Sequence, residues 1–335
     1  MDREFKTALG IFAALLVIST VLLEILANIH FWTPEFLRGF VPFVLLLAPY
    51  ILFSSSDFCG RVRQFAGASW LNRILLPSSI LLSYLIASLW NGAFSGFLLL
   101  KLALWIFVPL GLLSVGWLKG HPFYPKEILA ALLLWLPIEF GYLSGFDIKF
   151  TEGIQIPALA FAAPVLGLYL FAIVRDLPDI GYNFRWKLSD FKPVALSLGA
   201  LAFLLIPIGT HLGFISFSQF DTPPAKMVEF LFGIYFLVAL PEELLFRGIF
   251  QNLLVKTLGA QGRGFWTALF LASLIFGFSH YNNFDPPDYR YVFLATLAGL
   301  FYGWTYHRTG KTTVSALVHT GVNFLWAIFF KDTGG

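Results

Sequence analysis

Three charged side chains stand close together inside a largely apolar stretch, residues 229–254. Glu242 and Glu243 are adjacent, and Arg247 follows four residues after the second glutamate. A spacing of four places two side chains on one face of a helix, so Glu243 and Arg247 can pair with each other. Glu242 points about 100° away and has no partner on its own helix. Because an unpaired carboxylate is costly to bury, its position indicates a functional site.

Two further apolar stretches carry the deepest histidines. His280 ends the sequence Phe-Gly-Phe-Ser-His, and His319 and Asn323 lie four residues apart on one predicted helix face. If the helix of Glu242 runs inward and the other two run outward, Glu242 and Asn323 reach a similar depth, at about 1.5 Å of rise per residue. His319 then lies somewhat to one side of that depth and His280 to the other. One polar cavity could hold all four side chains.

These residue types fit the hydrolysis of an amide bond. A carboxylate and an imidazole that face one water molecule can take its proton and make it a nucleophile. A second imidazole and a carboxamide can donate hydrogen bonds to the carbonyl oxygen as negative charge develops on it. Glu with two His is also a zinc ligand set, although no HExxH pair is present. A third interpretation is a buried polar cluster that only holds helices together.

Helices that cross a lipid bilayer must position these residues. The chain has 335 residues, of which 58% are hydrophobic and 12% charged, and its mean hydropathy is +0.78. Soluble domains carry about 25% charged residues, so this composition excludes a soluble enzyme. Eleven apolar runs approach the roughly 20 residues that a spanning helix needs, which predicts an all-α, polytopic transmembrane bundle of about 11 spans with the catalytic core in its C-terminal half. The runs are 8–31, 40–56, 74–90, 97–118, 128–145, 157–174, 193–217, 229–254, 264–281, 291–307 and 313–330.

The charges outside these runs orient the predicted spans. Cytoplasmic loops are enriched in lysine and arginine. Eleven spans place fifteen of the 22 such residues on the side of the N-terminus, six on the other side and Arg247 inside a span, which predicts a cytoplasmic N-terminus. Most intramembrane polar side chains fall in the last five runs, so we predict an N-terminal transmembrane extension of about six helices at 1–174 and a hydrolase core at 175–335. The net charge of +3 does not indicate nucleic acid, and the predicted partner is the lipid bilayer.

Together, the three motifs resemble the CPBP family, which comprises CAAX-type prenyl proteases and bacteriocin-processing enzymes. The pattern of that family is EExxxR, FxxxH and HxxxN on successive membrane helices, and this chain has EELLFRG, FGFSH and HTGVN in that order. The resemblance covers roughly residues 175–330. It implies a glutamate-type intramembrane endopeptidase that needs no metal, in which Glu243 and Arg247 support the site.

By motif position, the resemblance assigns activation of the attacking water to Glu242 and His280, and the oxyanion hole to His319 and Asn323. The implied substrate is a membrane-embedded or lipidated protein or peptide, and the expected location is the cytoplasmic (inner) membrane of a bacterium. Two alternatives stay open. One is a non-enzymatic membrane scaffold or immunity-type protein that binds a peptide without cutting it, and the other is a zinc-dependent variant of the same protease.

Overall fold

The computed structural model describes residues 3–114, 125–151, 153–218 and 222–332, most of which are helical. Contacts divide the chain into two compact units, Met1–Pro178 and Asp179–Gly335. The functional roles predicted for the extension at 1–174 and the core at 175–335 stay predictions.

Within the described residues, six helices are long and apolar enough to cross a membrane, and two further apolar helices are shorter. The prediction of an all-α integral membrane protein is therefore confirmed, whereas the count of about eleven spans is not. The six are Arg3–Ile25, Pro34–Leu52, Gly96–Ser114, Leu188–His211, Gly262–Asn283 and Thr312–Phe329, and the shorter two are Ser78–Trp90 and Leu159–Val174.

The first unit holds eight helices and one small sheet among its described residues. Thr33, Ser55 and Ser69 each accept a backbone N–H with the side-chain oxygen and so begin a helix. The predicted run 128–145 is shorter than expected, because the chain turns at Gly141 with a φ of 67°. The elements are α1 (Arg3–Ala27), α2 (Pro34–Leu52), α3 (Ser56–Ala68), α4 (Trp70–Leu75), α5 (Ser78–Trp90), α6 (Gly96–Ser114), α7 (Pro125–Glu139), the antiparallel pair β1 (Asp147–Thr151) and β2 (Ile154–Pro157), and α8 (Leu159–Leu168), which continues as a π-helix, Tyr169–Val174.

The second unit holds every predicted site residue. The predicted run 193–217 is not one helix, since the chain turns at Gly213 with a φ of 61° and then forms a strand. The elements described here are a 3-10 turn (Leu188–Asp190), α9 (Phe191–His211), β3 (Ile215–Phe217), α10 (Pro224–Gly233), α11 (Leu240–Glu243), α12 (Asn252–Leu258), α13 (Gly262–Phe278), a 3-10 turn (Tyr281–Asn283), α14 (Tyr289–Thr309), α15 (Thr312–Phe329) and β4 (Phe330–Asp332).

The helix that carries the two glutamates is continuous over residues 224–258, and its turns change width along the way. Two π-helical stretches, Ile234–Ala239 and Leu244–Gln251, lie on either side of the four-residue α11. Pro241 within α11 has no backbone N–H to donate, so the regular hydrogen-bond ladder is interrupted there. Such wide turns are frequent at functional sites, because they rotate the side chains that follow.

Close helix packing in the second unit depends on small residues. A Cβ atom added to Gly277 on α13 would overlap Thr296 of α14, and one added to Gly303 on α14 would overlap Gln251. Small residues at such positions let helix backbones approach closely inside a membrane. This approach brings α13 and α14 together around the helix of the two glutamates.

Helix α15, which carries His319, is held at both ends. At its start, the Thr312 N–H donates to the Gly181 carbonyl at 3.0 Å. At its end, β4 pairs with β3 in an antiparallel two-stranded sheet, which joins the end of α15 to the end of α9. Contacts at both ends of α15 therefore fix the position of His319 within the second unit.

Candidate active site

Glu243 is the centre of a buried hydrogen-bond network. Its side chain and that of Arg247 are fully buried, and Arg247 Nε donates to Glu243 Oε2 at 3.1 Å, the pairing that the four-residue spacing predicts. Ser315 Oγ donates to the same oxygen at 2.6 Å, and His319 Nδ1 lies 3.1 Å from Glu243 Oε1. The carboxylate thus joins its own helix to α15.

Two aromatic rings surround the Arg247 guanidinium. Its central carbon lies 4.8 Å from the centre of the Phe276 ring and 5.9 Å from that of the Tyr302 ring. Ring faces attract a cation, and the attraction is larger where water is excluded. Nη1 and Nη2 are buried and have no hydrogen-bond partner among the described residues. Glu243 and the rings therefore stabilise this charge.

The contacts of His319 set the direction of its two ring nitrogens. An ionised Glu243 only accepts hydrogen bonds, so Nδ1 of His319 carries a proton and donates it. Nε2 then faces Glu242, whose Oε2 lies 3.8 Å away. The Tyr302 ring stacks on the imidazole at 4.6 Å with an angle of 16° between the planes, which restricts its rotation. His319 thus presents Nε2 to the same space as Glu242.

Glu242 differs from its neighbour in both contacts and exposure. Its side chain is 32% exposed, and Oε2 is buried without a hydrogen-bond partner among the described residues. Of the two adjacent glutamates, Glu242 is thus the one that water can reach, as general acid–base chemistry requires.

His280 has a free nitrogen lone pair. Its Nδ1 lies 2.9 Å from the Phe276 carbonyl oxygen, and a carbonyl only accepts, so Nδ1 carries the proton of the neutral ring. Nε2 is then free to take a proton. His280 is 8% exposed and lies close enough to Glu242 for the two to interact electrostatically. This arrangement suits a general base.

One cavity contains His280, His319 and Asn323 in its wall. It encloses about 80 Å³, which is room for several water molecules. Asn323 lies one helical turn after His319 on α15, as its spacing predicts. The other wall residues are mostly apolar or aromatic, among them Leu201, Leu205, Tyr291, Leu294, Tyr302 and Trp326. A cavity with polar side chains at one end and apolar walls suits a reaction on an apolar substrate.

The structure places all six predicted site residues in the second unit. Contacts join four of them, Glu242, Glu243, Arg247 and His319, while His280 and Asn323 lie with His319 in the cavity wall. Two contributors were missed by the sequence reasoning, Ser315 and Tyr302. Ser315 could have been found, because it precedes His319 by four residues and so repeats the spacing between His319 and Asn323. Their roles in a reaction stay predictions.

A metal ion would have to take its ligands from the same side chains. Among residues 3–114, 125–151, 153–218 and 222–332, no group of three or more His, Cys, Asp and Glu side chains has the arrangement of a metal site. Both histidines already use Nδ1 for a hydrogen bond, His280 to a carbonyl and His319 to Glu243. Each could offer only Nε2 to a metal, so no ligand set is defined here.

Fold and site together define an integral membrane protein with a buried acid–base cluster. Residues 224–325 match the family model described as Rce1-like, the type II CAAX prenyl endopeptidase family. The matched segment contains the three motifs, so the family resemblance that they indicate is confirmed. The family points to a protease, a peptide hydrolase. Searches of curated proteins and of solved structures found no match.

Proposed function

We propose that this protein is an intramembrane endopeptidase that hydrolyses a peptide bond in a membrane-associated or lipidated protein or peptide. The observation that carries the proposal is the joint placement of two groups. Glu242 has a buried oxygen without a hydrogen-bond partner among the described residues, 3.8 Å from His319 Nε2, and His280 has an Nε2 lone pair in the wall of the cavity that His319 also lines. The family of residues 224–325 supports peptide hydrolysis as the reaction.

In the proposed reaction, Glu242 and His280 take one proton from a water molecule in the cavity. The water oxygen attacks the carbonyl carbon of the scissile bond, and the electron pair of the C=O bond moves to the oxygen. His319 donates from Nε2 and Asn323 from its carboxamide to the negative oxygen, and such donors typically contribute 10²–10³-fold in rate. The intermediate then re-forms C=O as the C–N bond breaks, and the nitrogen receives the proton that the base had taken.

The buried network supports this reaction by fixing one donor. Glu243 holds Nδ1 of His319, so the ring cannot turn Nε2 away from the cavity. Because Arg247 and Ser315 bind Oε2 of Glu243, that carboxylate stays ionised and can stabilise an imidazolium at His319. Glu243 is therefore a positioning residue, and Glu242 is the acid–base residue.

The substrate part of the proposal follows from the cavity walls and the family. Apolar walls accept apolar side chains or a lipid-modified residue. Members of the matched family are described as prenyl endopeptidases, so a farnesylated peptide with a CAAX C-terminus is the first probe. We further propose that the protein lies in the inner membrane of a bacterium with a cytoplasmic N-terminus, and that residues 1–174 form an extension to the protease core.

The test uses wild type, Glu242→Ala and His280→Ala in proteoliposomes. We expect both variants to lose cleavage, by about 10²–10⁴-fold, because each removes a group that moves the proton. Glu229→Gln is the matched control, since Glu229 lies on the same continuous helix but is exposed. In cells, Glu242→Gln is used to retain the substrate, which mass spectrometry then identifies. Full activity in either alanine variant would refute the assignment.

The same proteoliposomes distinguish the proposed protease from a non-enzymatic peptide-binding protein and from a zinc-dependent protease. A non-enzymatic peptide-binding protein would retain the captured peptide but leave it whole after prolonged incubation with wild type. A zinc-dependent protease would lose activity on chelation and regain it when zinc is added back. Cleavage that resists chelation and depends on Glu242 is the result that we expect.

A further inference from the structure

We propose that the sheet of β3 and β4 binds the substrate as an added strand, along the edge of β3 that faces away from β4. The ligand is an extended apolar peptide segment, whose backbone pairs first with Phe217, the exposed end of the strand. This inference rests on the proposed function and deepens it, because it states how the substrate reaches the cavity. Adding a strand to a sheet edge is a common way to bind peptides.

The register of the sheet shows which backbone groups point outward. Ile215, Ser216 and Phe217 lie opposite Asp332, Lys331 and Phe330. Beyond them, the Ser218 N–H donates to the Phe329 carbonyl at 2.8 Å.

Directly opposed residues alternate along an antiparallel ladder between hydrogen-bonded and non-hydrogen-bonded pairs. Since Ser218 belongs to a bonded pair, Ser216 belongs to the next one. The N–H and C=O groups of Ile215 and Phe217 therefore point away from β4.

The outer edge of β4 presents fewer backbone hydrogen-bonding groups to a peptide than the outer edge of β3. The Phe330 N–H, which would face outward, already donates to the Trp326 carbonyl at the end of α15. On β3, two residues each present one donor and one acceptor in the outward direction. Phe217 is 75% exposed, whereas Ile215 is 9% exposed and lies in the apolar core beside Leu294, so a peptide reaches β3 at Phe217.

The sheet is continuous with the candidate active site. Ile215 and Phe330 line the same cavity as His280 and His319. Successive side chains of a strand alternate between two faces, so Ile215, Phe217 and the opposed Phe330 share one face of the sheet. A peptide added beside β3 would direct every second side chain towards that face and thus towards the apolar wall of the cavity.

An aromatic cluster holds the sheet edge in place. The Phe214 ring, immediately before β3, lies 5.2 Å from Trp326, 5.5 Å from Tyr291 and 5.8 Å from Phe284. Tyr291 in turn lies 4.9 Å from the His280 imidazole. A rigid edge at a fixed position relative to His280 reduces the entropy lost on binding.

Strand addition also answers a chemical requirement of the proposed reaction. A peptide bond inside a helix has its carbonyl hydrogen-bonded and surrounded by the neighbouring turns, so water and oxyanion donors reach it poorly. An extended segment paired along one edge leaves the carbonyls of alternate residues free on its other side. The β3 edge would therefore hold the substrate in the conformation that the cavity can hydrolyse.

The experiment measures binding without cleavage. A fluorescent farnesylated CAAX peptide is titrated against full-length Glu242→Gln in detergent, and the same background carries Phe217→Pro, Phe217→Ala or Ser216→Ala. Proline removes the outward N–H and is tolerated at sheet edges. We expect about five- to tenfold weaker binding for Phe217→Pro, the loss of one hydrogen bond. Phe217→Ala removes the same side chain but keeps the N–H, so the weakening caused by Phe217→Pro is measured against Phe217→Ala. Ser216→Ala changes the other face and should bind within about twofold of the parent.

An N-methyl scan of the peptide gives a second readout on the unmodified sheet. Single N-methyl groups should weaken binding at alternate peptide positions. If Phe217→Pro does not fold, this measurement alone tests strand addition. Equal effects at all positions would overturn strand addition, as would failure of the peptide to bind. If wild type cleaves the peptide but no alternation is seen, the protease proposal stands and the edge proposal fails. If N-methyl groups weaken binding at alternate positions but wild type does not cleave the peptide, the edge proposal stands and the protease proposal fails.

Discussion

The buried pair of Arg247 and Glu243 allows folding and catalysis to be measured separately. Three variants are compared with wild type: Arg247→Met, Glu243→Leu and the double variant. Removing one member of a buried ion pair leaves the other charge uncompensated, which costs about 3–5 kcal/mol. Replacing both members with apolar residues is often close to neutral. The single and double variants should therefore differ in a defined order of stability.

The remaining contacts of each residue determine how much stability each single variant loses. Without Arg247, Glu243 still accepts from Ser315 and His319, so we expect Arg247→Met to lie near the lower end, about 3 kcal/mol. Without Glu243, the Arg247 guanidinium loses its hydrogen-bond acceptor while Nη1 and Nη2 have none, and arginine cannot shed its proton. Glu243→Leu should therefore lie near the upper end, about 5 kcal/mol.

The double variant removes both charges but leaves Nδ1 of His319 without its acceptor. An unsatisfied buried donor costs about 1–3 kcal/mol, so the double variant should be more stable than Glu243→Leu and at least as stable as Arg247→Met. It should still be inactive, because His319 is no longer held. Stability that returns without activity would mark Glu243 as a positioning residue.

Thermal unfolding of purified protein in detergent, followed by circular dichroism, gives the stabilities. For a unit of this size, 1 kcal/mol corresponds to roughly 2–4 °C in Tm, so the single variants should differ measurably. Lys256→Met is the control, since Lys256 pairs with the exposed Asp179 and such surface pairs contribute about 0–1 kcal/mol. A double variant as unstable as the sum of the two singles would refute the pairing argument. An active double variant would refute the positioning role of Glu243.

Two further predictions concern the cavity wall and the start of α14. Asn323→Ala should lower kcat roughly 10²–10³-fold with little change in KM, because an oxyanion donor acts in the transition state. Steady-state cleavage checks this, and a raised KM at constant kcat would instead indicate substrate binding. The hydrogen bond from Arg290 holds the pKa of Asp288 below its usual value. The stability that this pair contributes is present at neutral pH and is lost as the pH falls below about 4, so acid unfolding of Asp288→Asn should lack that component.

The pairing of Glu243 and Arg247 could be predicted because both lie on one helix. A spacing of four residues brings two side chains together whatever the rest of the fold does. Ser315 and Tyr302 could not be predicted with the same security. The contact of Ser315 with Glu243 depends on how α15 packs against α11, and that of Tyr302 with His319 on how α14 packs against α15. Periodicity within one segment predicts neither.

Hydropathy also failed to predict where some helices end. The run 193–217 is apolar throughout, yet the chain turns at Gly213 and continues as β3, because glycine adopts a positive φ without the penalty of a Cβ atom. In the same way, the run 313–330 contains the first residue of β4. A sliding window over apolar residues cannot distinguish such a strand from a helix end. The prediction of transmembrane spans therefore missed β3 entirely and assigned the first residue of β4 to a span.

In the proposed active site, the two adjacent glutamates have different tasks. A single buried carboxylate would have to stay ionised for positioning and also take up a proton for catalysis, and these requirements conflict. Here Glu243 receives Arg247, Ser315 and His319 and so stays ionised. Glu242 is one residue further back and points elsewhere, and its Oε2 has no hydrogen-bond partner among the described residues. Because adjacent residues of a helix point about 100° apart, Arg247, Ser315 and His319 can bind one glutamate while the other stays outside that network.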